Sequence, residues 1–452
     1  MISPEPPSGR PAADWNPDRL PPDVRGGRPT LWSNPRHRTA KTALDRLTLG
    51  HREVRDAGSR WARFGPLLSR LFPETAPAGG RIDSRLIHLP AAFQRKLLGS
   101  GRNPVLVKAD HDLPVTGCIK ARGGVYEVLS HAEELALAAG LVEPDGDYAR
   151  LANDEARRLF GGHSIVVGST GNLGFSVGVI ARALGFKAEV HMSSDAKSWK
   201  KDRLRALAVK VVEHEGDYTT AVAAARAAAA RDAKAYFIDD ENSLRLFLGY
   251  AVAAADLARQ LAADDIPVDA DHPLILYLPC GVGGAPGGIT LGLKLIFGDA
   301  AVCLMVEPVR SPCMLVQLAA GPARSVSVYD AGLDNRTDAD GLAVAAASML
   351  VARMIGELVD GCITVEDRSL YEWASHAWHE AGLRLEPSAA AGFAAAAVLA
   401  DAAKAGARSP VIEAASKPGA THLIWTTGGQ LLPQQEFDRV LAQARAPVDA
   451  TP

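Results

Sequence analysis

Short apolar runs that alternate with helix-like segments constrain the fold of this chain most strongly. The runs 164–168, 274–279 and 302–306 are rich in Val, Ile and Leu, a composition typical of buried strands. The segments between such runs, for example the alanine-rich stretch 218–235, predict helices. A helix that connects two strands of one sheet makes them parallel, with a right-handed crossover. The sequence therefore predicts an α/β fold with two open, twisted parallel-sheet domains and a cleft between them.

The chain has 452 residues, which is long enough for two domains. We predict a small domain at 126–235 and a large domain formed by 36–125 together with 236–452. Residues 1–35 begin with a stretch rich in Pro, Gly, Arg and Asp. Such a stretch buries little apolar surface, so we predict a poorly ordered N-terminal extension there.

The composition excludes several classes of protein. The formal net charge of −3 gives no reason to expect nucleic acid or an anionic membrane as a partner. The five cysteines are scattered and form no CxxC pair, which argues against a disulfide framework or a zinc site and for a reducing compartment. The N-terminus lacks the apolar segment of a signal peptide, and the longest apolar run, 389–400, is too short to span a bilayer. We therefore expect a soluble, cytoplasmic protein.

The stretch 115–124, with the sequence VTGCIKARGG, is the best candidate for a catalytic centre. Its Lys120 has glycines on both sides, and glycine lets the backbone approach a flat ligand closely. The neighbours Ile119 and Ala121 offer an ammonium little solvation, which favours the neutral, nucleophilic amine. A neutral lysine is the group that Schiff-base chemistry needs, although a solvated surface lysine is the commoner case.

The glycine-rich loop 281–288 follows the predicted strand 274–279 and precedes a predicted helix, an arrangement that suits a phosphate. A dinucleotide fingerprint would require glycine at 286, where Pro286 stands. A P-loop would require a lysine directly after the loop, and none occurs before Lys294. A phosphate without a ribose partner fits best, and a plain tight turn is the structural alternative.

The loop 169–174 offers hydroxyls, an amide and backbone N–H groups at the predicted start of a helix, which suits a carboxylate. It is not a nucleophile elbow, because Val167 stands where that motif requires glycine.

A third loop, 426–429, ends the last predicted strand. The pair His376 and His379 beside Glu380 lacks the spacing of a metalloprotease site, and we predict surface histidines. For the charged run 197–205 we predict a solvated helix face.

Three motifs in this order resemble one family: TGCIKARGG around Lys120, STGN at 169–172 and CGVGGAPGG at 280–288. They resemble the fold-type-II pyridoxal-phosphate enzymes, whose architecture is that of the tryptophan synthase β subunit, and within them the bacterial D-serine dehydratase (D-serine ammonia-lyase) family. Further matching stretches are 239–243, 307–308, 311–315, 340–344 and 384–388. The resemblance departs at Ala285 and Ala208, where glycine is usual. If Ala285 had a positive φ, the strain would be of order 1 kcal/mol.

The resemblance implies a role for each matching residue. Lys120 would hold pyridoxal 5′-phosphate (PLP) as a Schiff base in the large domain and would then move protons. Thr426 would face the pyridine nitrogen, and Asn172 would bond the 3′-oxygen of the ring. Asp239 or Asp240 is our candidate for handling the substrate hydroxyl. The main-chain donors to the phosphate would belong to Gly281, Gly283, Gly284 and Ala285, and the substrate carboxylate would lie against Ser169, Thr170, Gly171 and Asn172.

The activity that the resemblance implies is β-elimination from D-serine, which yields pyruvate and ammonia. A threonine or L-serine dehydratase of the same fold is one alternative, and a non-catalytic, cofactor-free scaffold is another. The resemblance also implies a monomer, and it allows a monovalent cation, K⁺ or Na⁺, near Glu307 or Glu386. The D preference rests on the resemblance alone, because no pattern in the sequence reveals which face of the cofactor Lys120 occupies.

Overall fold

Two sheets organise the fold. The computed structural model describes residues 15–169, 171–194, 196–216 and 218–445. The strands are β1 Thr30–Ser33, β2 Leu86–His88, β3 Val105–Lys108, β4 Ser164–Gly168, β5 Lys187–Ser193, β6 Lys210–His214, β7 Ala235–Ile238, β8 Leu274–Pro279, β9 Ala301–Pro308, β10 Gly361–Val365 and β11 Thr421–Trp425. One sheet has seven strands in the order β1-β10-β9-β8-β11-β3-β2, and the other has four in the order β6-β5-β4-β7.

The seven-stranded sheet is parallel in its interior and antiparallel at both edges. Strands β10, β9, β8, β11 and β3 pair in parallel, whereas β1 and β2 run antiparallel to their neighbours. Strands β8, β9 and β11 are buried along their whole length, as expected of parallel strands covered on both faces. The predicted parallel α/β class is confirmed, and the antiparallel edges are additions to it.

The four-stranded sheet is parallel throughout, and it corrects one predicted boundary. Strand β7, Ala235–Ile238, pairs with β4 from Ser164↔Ala235 to Val167↔Ile238. The predicted small domain ended at residue 235 and so assigned most of this strand to the large domain. Because a strand belongs to the sheet that takes its backbone hydrogen bonds, the segment around the four-stranded sheet extends through Ile238.

Residues 15–35 of the predicted poorly ordered extension are part of the fold, whereas residues 1–14 of that prediction lie outside the described residues. Leu20 and Val24 are buried in an apolar cluster with Trp32. Strand β1 pairs with β10 in a register that runs from Thr30↔Thr364 to Ser33↔Gly361. Burial of these apolar side chains offsets the entropy of ordering a segment rich in Pro and Gly.

Helices cover both sheets. They are α1 Pro22–Arg25, α2 Ala40–Leu44, α3 His51–Leu71, α4 Ala91–Leu98, α5 Tyr126–Ala138, α6 Asp154–Gly161, α7 Asn172–Leu184, α8 Ser198–Ala206, α9 Tyr218–Ala229, α10 Leu244–Ala251, α11 Ala253–Ala263, α12 Gly284–Phe297, α13 Cys313–Ala320, α14 Met349–Ile355, α15 Asp367–Ala381, α16 Pro387–Lys404, α17 Pro410–Ala415 and α18 Gln434–Gln443. The apolar run at 389–400 lies in α16, which packs against β8 to β11. Within the described residues, 244–263 is the one helical stretch long and apolar enough to cross a membrane, but half of it is buried in the fold, which makes it weak evidence for a span.

Candidate active site

A cavity lies where loops from the two sheets meet. Its empty space is about 780 Å³, part of it open to solvent. The loop after β8 and the segment around Lys120 form one side, and the loop after β4 together with α8 forms the other. This is the edge at which ligands bind in open α/β sheets, because strand carboxyl ends and helix N-termini meet there. The polar and charged side chains that line it belong to Lys120, Ser169, Asn172, Lys200, Tyr218, Asp240, Glu386, Ser388 and Thr427.

Lys120 lies in this cavity, and its position is fixed from both directions along the chain. The Ile119 N–H donates to the carbonyl of Thr427 at 2.8 Å, which ties the segment to the end of β11. A buried π-helical turn, Ala121–Val125, follows the lysine directly. The side chain is 23% exposed, and its Nζ lies 3.6 Å from Asp240 Oδ2. The surroundings are therefore more polar than the sequence neighbours indicated, since a carboxylate faces the amine.

The two adjacent aspartates that were candidates for the substrate hydroxyl point in different directions. Asp240 lines the cavity, and its Oδ1 is buried without a hydrogen-bond partner among the described residues. Asp239 instead accepts from the guanidinium of Arg226 at 2.9 Å and from the backbone N–H of Glu241 at 3.1 Å. Only Asp240 is placed to meet a ligand beside Lys120.

The glycine loop after β8 forms a close-fitting cradle in front of the N-terminus of α12. Gly283 has φ +109°, and a Cβ there would lie 2.3 Å from Met314 Cε. A Cβ at Gly281 would lie 2.9 Å from the carbonyl oxygen of Gly341. Gly284 begins the buried, 14-residue helix α12, and the free N–H groups at such an end favour an anion. The loop is therefore shaped for a phosphate and leaves no room for larger side chains.

The two alanines that replace usual glycines differ in backbone conformation. Ala285 is the second residue of α12 and lies outside the left-handed region, so the strain considered for it does not arise. Ala208, between α8 and β6, has φ +57°. Among the described residues, the alanine with a positive φ therefore lies outside the wall of the cavity that holds the phosphate cradle.

The loop after β4 presents backbone donors and an amide to the cavity. The hydroxyl of Ser169 accepts from the N–H groups of Gly171 at 3.0 Å and Gly174 at 2.9 Å, so this side chain stabilises the loop. Asn172 starts α7, and its Nδ2 donates to Glu386 Oε1 at 3.0 Å. Thr170 lies outside the described residues. A carboxylate at this position would meet a second helix N-terminus.

Lys200 is a cavity residue that sequence reasoning missed. It was assigned with the run 197–205 to a solvated helix face, but its side chain is only 6% exposed and lies against Gly171. Its Nζ donates to Asp340 Oδ2 at 2.7 Å. Although burial disfavours the charge, the carboxylates of Asp340 and Glu386 raise the pKa of Lys200. A buried cation therefore lies beside the predicted carboxylate loop.

Glu386 lies in the same group of charges. Burial, with the nearby Asp340 carboxylate, raises the pKa of Glu386 to about 7. For Asp340 burial acts in the same direction, but the ammonium groups of Lys200 and Lys197 lower its pKa overall. Glu386 can therefore change its protonation state near neutral pH while Asp340 remains ionised.

The hydroxyl at the end of β11 belongs to a different residue from the one predicted. Thr426 Oγ1 donates to the carbonyl of Lys108 at 2.9 Å and bonds His111 Nδ1 at 2.8 Å, so it is fully engaged away from the cavity. The next residue, Thr427, lines the cavity, and its Oγ1 has no partner within the described part of the chain. Successive side chains of an extended segment point to opposite faces, so a shift of one residue exchanges them.

The residues present fit the predicted cofactor. PLP offers an aldehyde, a phosphate, a phenolic oxygen and a ring nitrogen, and the cavity offers a matching group for each. These are the amine of Lys120, the cradle before α12, the amide of Asn172 and the free hydroxyl of Thr427. Unpartnered buried polar atoms are costly unless a ligand or water satisfies them, which favours a polar ligand here.

Glu307 and Glu386, the predicted cation ligands, are not part of a group of metal-binding side chains in the described residues. Across the described ranges, no group of three or more His, Cys, Asp or Glu side chains could hold a metal ion. Both carboxylate oxygens of Glu307 accept backbone N–H groups at the start of α13, from Met314 at 2.6 Å and Leu315 at 2.9 Å. His376 bonds Glu380 at 3.0 Å on the partly exposed helix α15. The K⁺ or Na⁺ site stays a prediction.

Comparison with known proteins places the chain among related sequences. A profile of the family described as "Pyridoxal-phosphate dependent enzyme" matches residues 80–413. A "Probable D-serine dehydratase" of Chromobacterium violaceum is 51% identical over 444 residues, which cover 97% of this chain and 99% of that protein. One from Sinorhizobium medicae is 53% identical over 426 residues, covering 94% of this chain and 96% of the relative.

Solved structures share the fold at low sequence identity. Diaminopropionate ammonia lyase from Escherichia coli, in complex with D-serine, matches with a TM-score of 0.70 and 16% identity over 92% of this chain and 98% of that one. A threonine deaminase from the organism abbreviated T.th. matches with a TM-score of 0.61 and 22% identity over 85% of this chain and 99% of that one. These likenesses concern the fold, and they confirm the predicted architecture.

Proposed function

Because this chain belongs to the pyridoxal-phosphate dependent enzymes, and within them to the family of the probable D-serine dehydratases, we propose that it is a lyase that converts D-serine to pyruvate and ammonia. The observation that carries this proposal is the near full-length match at about half identity, from 48% to 53% in the relatives compared. The cavity supports it, because it combines a lysine, a phosphate cradle and a carboxylate seat.

We assign the cofactor contacts as follows. When bound, PLP condenses with amines through its aldehyde and accepts the electron pair of a bond broken at Cα. Lys120 would provide the amine that attaches it, and the N–H groups of Gly281, Gly283, Gly284 and Ala285 would hold its phosphate. The Asn172 amide would bond the 3′-oxygen. Thr427, in place of the predicted Thr426, would face the ring nitrogen with a neutral hydroxyl.

The remaining groups would act on the substrate. The loop of Ser169, Gly171 and Asn172 would bind its carboxylate at the start of α7, with the adjacent Thr170 as part of the same predicted loop. The N–H of Asn172 would donate to it, since the N–H groups of Ser169 and Gly171 already have partners. Once the substrate amine has displaced it, Lys120 would be free to move the Cα proton. Asp240 would pass the proton that Lys120 takes from Cα on to the departing hydroxyl, because it lies 3.6 Å from Lys120 Nζ and has an unpartnered buried oxygen.

Two alternatives differ from this proposal in substrate or in chemistry. A threonine or L-serine dehydratase would have the same residues, and threonine deaminase is a protein of similar fold. A cofactor-free scaffold would need none of the unpartnered polar groups in the cavity. The purified protein should be yellow, and borohydride should bleach it while attaching a pyridoxyl group to Lys120. A colourless protein that PLP cannot reconstitute would support the scaffold.

Substrate preference is tested by measuring pyruvate or 2-oxobutanoate release from D-serine, L-serine, D-threonine and L-threonine side by side. We expect D-serine to have the highest kcat/KM by at least about tenfold, which corresponds to about 1.4 kcal/mol in transition-state binding. An L-amino acid with the highest value would leave the lyase assignment in place and overturn the substrate.

We further propose that the protein acts as a monomer in the cytoplasm. The monomer is what the resemblance implies, and all five cysteines are buried and unpaired, which suits a reducing compartment. Gel filtration with light scattering would test the first point. A monovalent cation near Glu386 or Glu307 would be tested by activity in K⁺, Na⁺ and a bulky organic cation.

A further inference from the structure

A second pocket adjoins the catalytic cavity. Three residues belong to the walls of both, namely Asn172, Lys200 and Glu386. The outer side of the second pocket is formed by Phe175 and Arg203, with Trp199, Leu431 and Leu432 nearby. We call this space the outer pocket. It lies next to the seat proposed for the substrate carboxylate, at Gly171 and Asn172.

Arg203 is the distinctive group of the outer pocket. Its guanidinium stacks on the ring of Phe175 at 3.9 Å and donates one hydrogen bond, to the Leu431 carbonyl at 3.2 Å. Over the described residues it forms no salt bridge, although its neighbours on α8, Lys200, Lys201 and Arg205, all do. Burial lowers the pKa of Arg203, as expected for a cation that is removed from water without an anion beside it.

A second donor lies in the same wall. The indole Nε1 of Trp199 is buried and has no hydrogen-bond partner within the described ranges. An arginine has five N–H donors in a rigid fork that matches a carboxylate, and an indole N–H is a donor only. Two sets of unused donors therefore line a pocket in which Glu386 is the one acidic side chain among the described lining residues, and this carboxyl already accepts from Asn172.

We propose that the outer pocket is a binding site for small carboxylates, in which Arg203 holds the carboxylate of an amino acid on its way in or of a 2-oxo acid on its way out. The proposal deepens the proposed function and rests on it for the identity of these acids. Arg203 would then determine substrate affinity and product inhibition, whereas Lys120 and Asp240 would determine the rate of the chemical step. The stacking on Phe175 keeps the guanidinium in the fixed orientation that bidentate binding of a carboxylate requires.

The test uses the PLP-loaded full-length protein and two readouts. Pyruvate binding is measured by isothermal titration calorimetry, and kcat and KM are measured for D-serine. Arg203→Leu keeps much of the apolar stem but removes the donors, so we expect the Kd of pyruvate and the KM of D-serine to rise about tenfold with kcat within twofold of wild type. Arg203→Lys should recover part of both losses.

Arg205→Leu is the matched control, because it removes the same charge from the same helix. Arg205 is exposed and pairs with Glu213 and Asp202, so both readouts should stay at wild-type values. Unchanged pyruvate binding in Arg203→Leu would overturn the proposal, as would an equal loss in Arg205→Leu, which would indicate general electrostatic attraction. A loss of kcat and thermal stability without a change in Kd would assign Arg203 a packing role only.

Calorimetry also separates the two proposals. If the protein released no pyruvate from D-serine, the proposed function would fail, but pyruvate binding would still report on the outer pocket. If the Leu variant did not fold, Arg203→Gln, which retains a polar side chain, would replace it in both measurements. Failure of the wild-type protein to bind pyruvate at all would overturn the outer pocket as a carboxylate site.

Discussion

Replacement of Asp240 by asparagine tests the assignment of the proton donor most directly. The change removes a charge and the ability to donate an acidic proton, and it leaves the size of the side chain almost unchanged. Asp240 is 9% exposed and Lys120 is 23% exposed, so water screens the pair only partly. At an effective dielectric constant of about 20, two unit charges 3.6 Å apart attract with about 5 kcal/mol.

This attraction acts only while the Lys120 amine carries a charge, so attachment of PLP does not depend on it. Its loss in Asp240→Asn should therefore not hinder attachment of PLP, which requires the neutral amine. The loss should appear in the chemical step instead. A positioned general acid contributes about 10²- to 10⁴-fold, so we expect kcat to fall by that factor, or by about 3 to 5 kcal/mol in the barrier.

The assay is pyruvate release from D-serine under saturating substrate, with the visible spectrum as a check that the cofactor is bound. Asp239→Asn is the matched control, since Asp239 bonds Arg226 and lies outside the cavity wall. We expect its kcat to stay within about threefold of wild type, because it touches no reacting group. An Asp240→Asn variant that retains more than about a third of wild-type kcat would refute the role of Asp240 as the acid.

The other predictions concern the cofactor and stability. Lys120→Ala should abolish turnover and borohydride-stable labelling while circular dichroism stays unchanged. Gly283→Asp should lose PLP on dialysis, since its Cβ would overlap Met314 and its charge would repel the phosphate. If this variant retained all of its PLP, the loop would be excluded as the phosphate-binding site. Burial raises the pKa of Glu127 to about 7, so the folded state holds a proton that the unfolded state loses near pH 4.5. The free energy of unfolding should therefore fall by about 3 kcal/mol as the pH rises from about 4.5 to 7. Glu127→Gln cannot ionise, so it should raise the melting temperature, relative to wild type, more at pH 8 than at pH 5. Ala208→Gly should raise the free energy of unfolding by about 1 kcal/mol in urea titrations, because φ is +57° there.

The sequence was sufficient for the fold class and for the three loops that meet at the cavity. Parallel strands place their carboxyl ends at one edge of their sheet, so the loops after β8 and β11 lie together. The loop after β4 belongs to the other sheet, and the predicted cleft between the two domains brings it opposite them. Glycine at 283 also indicated a tight loop. Its φ is +109°, and Met314 lies so close that a side chain at 283 would not fit. The comparisons confirm the family that these motifs indicated.

The sequence could not distinguish adjacent residues of one type where side chains alternate in direction. Thr426 and Thr427 carry the same hydroxyl, as Asp239 and Asp240 carry the same carboxylate, and composition cannot distinguish neighbours of one type. The pairing of β11 ends at Trp425, and the orientation of the next two residues depends on contacts with Lys108 and His111. Such contacts join segments more than 300 residues apart, and no local pattern encodes them.

Lys200 was missed for a different reason. It lies in the run 197–205, where five of nine residues are lysine or arginine, and such a run resembles a solvated surface. Three of the five, Lys200, Lys201 and Arg203, are at least partly buried in the structure. A helix whose basic residues face a cleft rather than solvent can be recognised only when the cleft is known. The stretch 340–344, which was matched to the family, contains the partner Asp340 and would have been the available signal.

The charged side chains of the cavity can be compared with the two anionic groups that it is proposed to bind. Two helix N-termini, those of α7 and α12, point at the same space, and each favours an anion. A phosphate at one and a carboxylate at the other would place several negative charges beside Asp240 and Glu386, which also line the cavity. Lys200 offsets part of this repulsion, and Glu386 can offset more by binding a proton, since burial raises its pKa to about 7. We therefore expect the buried cation at 200 to favour the binding of both anions at once.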